Sequence, residues 1–242
     1  MMTKVILQRI GLSKLLVKHH KWFEPRMAQS LSEKIFMSNL KRFVKLSDLT
    51  EIRTGFTFRE KVEEVESGNA HVLQIKDIRS IATDTCGYTL FADALPQIGW
   101  QGKDNAIVSP DSVLLPCRGE YLKAHYFLGH QDQSKALPLI VSSQFLILMP
   151  NKNVLPEYLC WYLNQPHVQY ELRKESQGSK MPMLSVSTVS QFEVEVPSLD
   201  IQQRIIELNR IWEQEQILTQ QLLKNREQMM MGMFKQLLQG NK

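Results

Sequence analysis

The chain lacks the features that mark secreted or membrane-spanning proteins. Its 242 residues include only 3 cysteines, and Cys86, Cys117 and Cys160 form no CxxC pair and no Cys/His cluster. Three buried thiols in a reducing cytoplasm are therefore expected, without disulfides. The sequence has no run of about 18 apolar residues and no signal-peptide pattern, so neither a transmembrane helix nor secretion is expected.

Catalytic motifs are also missing. The sequence has no glycine-rich cofactor loop with an Asn/Asp-Pro-Pro-aromatic motif, no Walker loop and no Gly-x-Ser-x-Gly elbow. Pro110-Asp111 with Glu120 and Lys123 approaches a nuclease pattern, but on a strand the E-x-x-K spacing places the last two on opposite faces. The 6 histidines share no spacing that fits metal ligation. We therefore expect a non-enzymatic chain with no metal and no cofactor; only a Ser-His-Asp arrangement is left open.

Charge is unevenly distributed along the chain. The net charge is +4, but residues 1–45 carry ten Lys/Arg against two glutamates, whereas residues 46–199 are net negative. A uniformly basic DNA-binding surface is therefore excluded. We predict a basic helical leader over 1–45. It is either solvated or packed on the neighbouring domain, and the alternative is a membrane-surface or transit segment.

The C-terminal residues predict one long helix. Residues 201–239 contain no proline and one glycine, Gly232, and apolar side chains recur at steps of three and four. Such a helix is about 58 Å long, and its apolar edge needs a partner, which we expect to be a second molecule. The alternative is a helix folded back on its own domain; Met229, Met230, Met231 and Met233 suit either a docking patch or ordinary packing. The predicted interface residues are Ile201, Ile205, Leu208, Trp212, Leu218, Leu222, Met229, Met233 and Leu237.

The region between these segments alternates β-rich runs with turn signals. A helix is predicted from Pro156, interrupted at Asn164-Gln165-Pro166 and resumed to about 175, and Ser198 or Asp200 is expected to cap the long helix. Strands are predicted over 71–75, 106–108, 113–116, 139–141, 145–149 and 192–196. We therefore predict an α+β fold, with a globular domain of a small mixed sheet and helices over 46–198 and a long coiled-coil-type helix over 199–242.

Seven segments occur in a characteristic order: 45–59 (KLSDLTEIRTGFTFR), 72–78 (VLQIKDI), 114–119 (LLPCRG), 141–145 (VSSQF), 155–164 (LPEYLCWYLN), Gly178-Ser179 and 194–205 (VEVPSLDIQQRI). In this combination they resemble the target recognition domain of type I restriction–modification specificity subunits. The last segment matches the family's usual junction from domain into conserved helix. The resemblance covers about 46–240 and depends on the combination, since each piece alone is short.

The resemblance implies a DNA-binding specificity component that reads one half of a bipartite double-stranded target. Family subunits usually contain two such units, and one is present here, so a half-subunit acting as a homodimer is expected. Its further partners would be methyltransferase subunits, which would hold the S-adenosylmethionine, and restriction subunits. The alternative is an assembly or anti-restriction module that keeps the fold but does not read DNA.

Candidate DNA-binding residues lie mainly at predicted strand ends and loops. Arginine and lysine suit guanine edges and phosphates, glutamine suits adenine, and hydroxyls suit phosphates. For each residue the alternative is a solvated surface group, and Arg118 and the run 177–180 are the leading candidates. The set is Arg53, Thr54, Arg59, Lys76, Arg79, Arg118, Lys123, Ser143, Gln144, Gln177, Ser179 and Lys180.

Overall fold

A computed structural model describes residues 42–78, 87–119, 122–132, 134, 136–176 and 183–240. The predicted leader therefore lies outside the described residues, except for its last four. Of these, Phe43–Lys45 form a β-strand rather than a helix, and this strand belongs to the unit that begins at Arg42. Within the described ranges, no helix combines the length and the apolar character that crossing a membrane requires.

The described residues form eleven strands in three sheets, joined by helices. The strands are β1 Phe43–Lys45, β2 Thr50–Thr54, β3 Ala70–Leu73, β4 Thr89–Phe91, β5 Gln97–Ile98, β6 Ile107–Val108, β7 Ser112–Pro116, β8 His125–Gly129, β9 Leu139–Val141, β10 Phe145–Pro150 and β11 Glu193–Glu195. The α-helices are α1 Leu46–Leu49, α2 Pro156–Leu163, α3 Pro166–Ser176, α4 Val186–Gln191 and α5 Leu199–Gln239, and Ala92–Ala94 and Asp104–Ala106 form 3₁₀ turns.

Both larger sheets are mixed. One has the order β2-β10-β7-β8-β4, with β4 and β8 parallel, and the other has the order β5-β3-β9-β6, with β3 and β9 parallel. The two remaining strands, β1 and β11, pair antiparallel as a ribbon. The α+β prediction, with a small mixed sheet and a long C-terminal helix, is confirmed.

The five-stranded sheet lies between two apolar layers. In β10, Leu146 and Leu148 point into the core cluster that α2 covers, whereas Phe145 and Ile147 point into the cluster shared with β3 and β9. Successive side chains of a strand face opposite sides, so both faces of β10 are buried. This explains why its sequence is apolar throughout instead of alternating.

The long helix α5 is attached to the domain only by its first turns. Ile205 and Ile206 pack against the cluster that α2 covers, and every residue from 217 to 240 is exposed. At 1.5 Å per residue, the exposed part extends about 35 Å. Residues 42–240 thus form a layered domain from which helix α5, which we call the rod, projects.

Local sequence signals located most elements to within a few residues. Pro156 begins α2 and Pro166 begins α3, and the predicted strands appear as β3, β6, β7, β9, β10 and β11. Cys117 and Cys160 are buried free thiols as expected, and Cys86 lies outside the described residues. Ser198, one of the two predicted cap residues, is the N-cap of α5. Its side chain makes no cap hydrogen bond, and its backbone oxygen accepts from Gln202 N at 3.0 Å.

Candidate nucleic-acid interface

Three strands of the five-stranded sheet meet at one end. Antiparallel register places Leu146 opposite Thr54 and Phe145 opposite Pro116, so the end of β2, the start of β10 and the end of β7 are adjacent. The residues that continue from these ends therefore lie side by side. We call this surface the recognition edge, made of Thr54, Phe56, Arg118, Ser143 and Gln144.

Backbone hydrogen bonds hold the recognition edge rigidly. Ser143 N donates to Phe56 O at 2.8 Å, and Cys117 N donates to Gln144 O at 2.8 Å. Gly55 is essential to this packing, because a Cβ there would lie 2.2 Å from the carbonyl oxygen of Ser142. Side chains on such a scaffold are presented in a fixed arrangement, which suits recognition.

Arg118 is the exposed cation of the recognition edge. Its backbone forms an isolated antiparallel β-bridge with Met183, and its Nε donates to the Met183 sulfur at 3.3 Å. A thioether is a weak acceptor, so this contact orients the guanidinium without neutralising its charge. Arg118 therefore presents an exposed positive charge at this edge.

An aromatic cluster adjoins the recognition edge at Phe56. The rings of Phe58 and Trp100 lie 5.1 and 4.9 Å from the Phe56 ring, both edge to face, and Phe56 remains 38% exposed. These rings line an open groove of about 730 Å³ that also contains Arg59. These aromatic residues are not among the predicted site residues, because their spacing in the sequence carries no periodic signal.

Three other predicted cations are engaged within the protein. Arg53 donates to the carbonyl oxygen of Ile107 at 2.8 Å. Lys76 pairs with Glu64, and this hydrogen bond raises the pKa of the lysine. Lys123 donates to the carbonyl oxygen of Asn164 at 2.9 Å, and burial lowers its pKa. Each of these three side chains is therefore held by a contact within the protein.

Four predicted site residues lie outside the described ranges. They are Arg79, Gln177, Ser179 and Lys180. The last three precede Met183 in the chain, and Met183 is the residue that bridges Arg118.

The predicted interface residues of α5 divide into two groups. Ile201 and Ile205 are half-buried, and Ile205 packs on the domain core. The other seven are each about half exposed or more: Leu208, Trp212, Leu218, Leu222, Met229, Met233 and Leu237. Leu223, Met230, Phe234 and Leu238 are also exposed, so the apolar surface of the rod is wider than the predicted stripe. Within the described residues, the rod does not fold back on its own domain.

A pocket of about 440 Å³ lies where the rod leaves the domain. Arg210 of α5 donates two hydrogen bonds to the Glu157 carboxylate of α2, at 2.5 and 2.7 Å, and this contact raises the pKa of the arginine. On the same wall, burial raises the pKa of the Glu213 carboxyl. The Arg210–Glu157 pair thus links α5 to α2.

Comparison with known proteins gives a consistent result. A family model described as type I restriction modification DNA specificity domain matches residues 38–224. The chain is 28% identical over 99 residues to the type I restriction enzyme HindI specificity subunit of Haemophilus influenzae, a match that covers 40% of this chain and 22% of that subunit.

Two solved structures share the fold. A chain from a structure of type I R-M complex assembly and conformational transition superposes with a TM-score of 0.55 at 15% identity, over 94% of this chain and 48% of that one. The HsdS subunit from Thermoanaerobacter tengcongensis gives 0.52 at 17% identity, over 81% and 47%. The chain therefore spans about half the length of these structures and less of the curated relative.

Proposed function

Because the chain belongs to the type I restriction–modification DNA specificity family, we propose that it is a DNA sequence-recognition component that reads one half of a bipartite target. The observation that carries this proposal is the recognition edge, where Arg118 is exposed on a rigid sheet end beside Ser143 and Gln144. The chain itself acts by binding and not by catalysis.

The chemistry of the edge suits duplex DNA. An arginine donates two parallel hydrogen bonds to a guanine edge, a glutamine pairs with adenine, and a hydroxyl contacts phosphate. Arg118, Gln144 and Ser143 supply one residue of each type, and the register of β7 and β10 places them on neighbouring strand ends. Arg59 and the exposed ring of Phe56 extend the same surface.

The rod supports the bipartite part of the proposal. Its exposed apolar surface extends from Leu208 to Leu238, and it suits a second helix of the same kind packed along it. We propose a pair of identical units, related by a two-fold axis, that read identical half-sites in opposite orientation. Methyltransferase subunits, which would hold S-adenosylmethionine, would dock on this assembly, and restriction subunits would join it.

The test is DNA binding by the full chain together with methyltransferase subunits. We expect Arg118→Ala to weaken binding about 5- to 150-fold, the value of one good base contact of about 1–3 kcal/mol, and affinity to fall steeply with salt. Lys152→Ala is the matched control, because Lys152 is also exposed but lies in the turn that follows β10. Unchanged affinity and sequence preference in Arg118→Ala would refute the assignment of the edge.

One observation favours a second function. The net negative charge of residues 46–199 opposes tight DNA binding, which suits a protein-interaction or assembly module with this fold. The salt series separates the two functions, since a module that does not read DNA shows no steep salt dependence on target DNA.

A further inference from the structure

Three potential metal ligands from distant parts of the sequence converge on one point. His71 lies in β3, Asp93 lies in the 3₁₀ turn that follows β4, and His130 directly follows β8. One ligand atom from each residue lies within 4.8 Å of the other two. The histidine spacing in the sequence did not reveal this group, because sheet pairing creates it.

Backbone contacts orient both imidazole rings. His71 Nδ1 lies 2.9 Å from the carbonyl oxygen of Leu95, and His130 Nε2 lies 2.7 Å from that of Leu137. A carbonyl oxygen only accepts, so each of these ring nitrogens donates its proton. In the neutral ring the lone pair is then on Nε2 of His71 and on Nδ1 of His130.

The carboxylate is oriented in the same way. Asp93 Oδ2 accepts a hydrogen bond from Gln131 N at 2.6 Å. A metal-ligating histidine almost always donates its second ring N–H to a carbonyl, carboxylate or water, and ligating carboxylates are hydrogen-bonded in turn. All three side chains of this group show that pattern.

We propose that His71, Asp93 and His130 bind a divalent zinc-type ion. Two imidazoles and one carboxylate suit such an ion, whereas Ca²⁺ and Mg²⁺ prefer oxygen ligands alone. Tetrahedral ligands at about 2.1 Å from the metal lie about 3.4 Å apart, and the three ligand atoms lie within 4.8 Å of one another, so they must approach by at most about 1.4 Å. The exposed side chain of Asp93 and the half-buried ring of His130 can supply that movement, and water completes the coordination.

The ion would add a link between three segments that sheet pairing and hydrogen bonds already bring together. It would hold the loop that begins at His130 against β3 and the 92–94 turn. His71 N already donates to Pro138 O at 2.8 Å at the other end of this loop. The proposed role is structural, and it does not depend on DNA binding.

The experiment is a zinc titration of the full chain, purified without a histidine tag and stripped with a chelator. A chromophoric chelator competes for the metal and reports the affinity. Asp93→Asn and His130→Gln remove ligands at accessible positions; His71 is avoided because it is only 3% exposed. His167→Ala is the control, since His167 is an exposed histidine of α3.

We expect one zinc per chain in the wild type and in His167→Ala. Each ligand variant should bind at least about tenfold more weakly, because even loss of an outer-shell partner costs about 10–100-fold. Zinc should raise the unfolding temperature of the wild type and the control but not of the variants, whose circular dichroism verifies folding. Zinc below one per chain in the wild type, or unchanged affinity in both variants, overturns the proposal and leaves a hydrogen-bonded cluster only.

Discussion

Gln202 joins the rod to the recognition domain, and its removal should weaken that joint measurably. The side chain is 0% exposed. Its Oε1 accepts from Leu155 N at 2.8 Å, and its Nε2 donates to Asn153 O at 3.1 Å and to Pro197 O at 2.9 Å. One amide thus joins the first turn of α5 to the segment before α2 and to the short segment between β11 and α5.

The cost of removing this amide follows from the three bonds. Each contributes about 0.5–1.5 kcal/mol to stability, so Gln202→Ala should lower the free energy of unfolding by about 1.5–4.5 kcal/mol. Gln202→Glu keeps the acceptor for Leu155 N but turns a carboxylate oxygen toward two carbonyls. We therefore expect it to be at least as destabilising, since burying an unpaired charge is costly.

Urea unfolding of the full chain measures the effect. Gln203→Ala is the matched control, because its side chain is exposed and makes a single 3.3 Å contact with Glu207; such surface changes cost less than about 0.5 kcal/mol. At a temperature where Gln202→Ala is still folded, complexes assembled with this variant should also methylate a bipartite target less efficiently than complexes with the wild-type chain. Equal stability of the Gln202 and Gln203 variants would refute this account of the joint.

The remaining predictions concern a buried histidine and the rod. Burial lowers the pKa of His125 to about 4 from the usual 6.5, so the unfolded chain binds a proton that the folded chain excludes. The free energy of unfolding should therefore have its full value above about pH 6.5 and fall by up to about 3 kcal/mol toward pH 4. Urea titrations at both pH values should show a smaller fall in His125→Gln than in the wild type. Equal falls would contradict the depressed pKa of His125. For the rod, Leu218→Glu should dissociate paired units in sedimentation analysis. Gln220→Glu adds the same charge on the other side of the helix and should leave the pairs intact. A wild-type chain that is monomeric even with methyltransferase subunits would contradict pairing.

The elements that the sequence predicts well are those whose signal is local. The apolar steps along α5 depend on residues three and four apart, so its extent from Leu199 to Gln239 agrees with the prediction. Pro156 and Pro166 mark helix starts for the same reason. Strands such as β10 are visible because they are apolar along their whole length.

Elements defined by long-range pairing were not predictable in the same way. β2 has the polar sequence TEIRT, and it is a strand because Arg53 and its neighbours pair with β10. β3 and β9 are parallel partners far apart in the chain. No periodicity within either segment specifies that register.

The candidate site shows the same division. Arg118 and Gln144 were selected as separate residues at predicted strand ends, and antiparallel register brings them to one edge. Lys76 is a basic residue like Arg118, but in the structure it pairs with Glu64, twelve positions earlier in the chain. Residue type identifies groups that suit DNA, whereas the fold decides which of them are committed to internal contacts.

One apolar cluster connects the rod to strand β10, which begins next to the recognition edge. If two units pair as proposed, this connection bears on the distance between their edges. Leu146 of β10, two residues from Gln144, packs in the same cluster as Ile205 and Ile206 of α5. Protein interiors are close-packed, so they transmit displacements instead of absorbing them. The Arg210–Glu157 pair and the Gln202 amide add polar contacts between α5 and the domain next to this cluster. In a pair of units joined along α5, the separation of the two edges would therefore be set by the rods and these joints, so the spacer between half-sites would have one length.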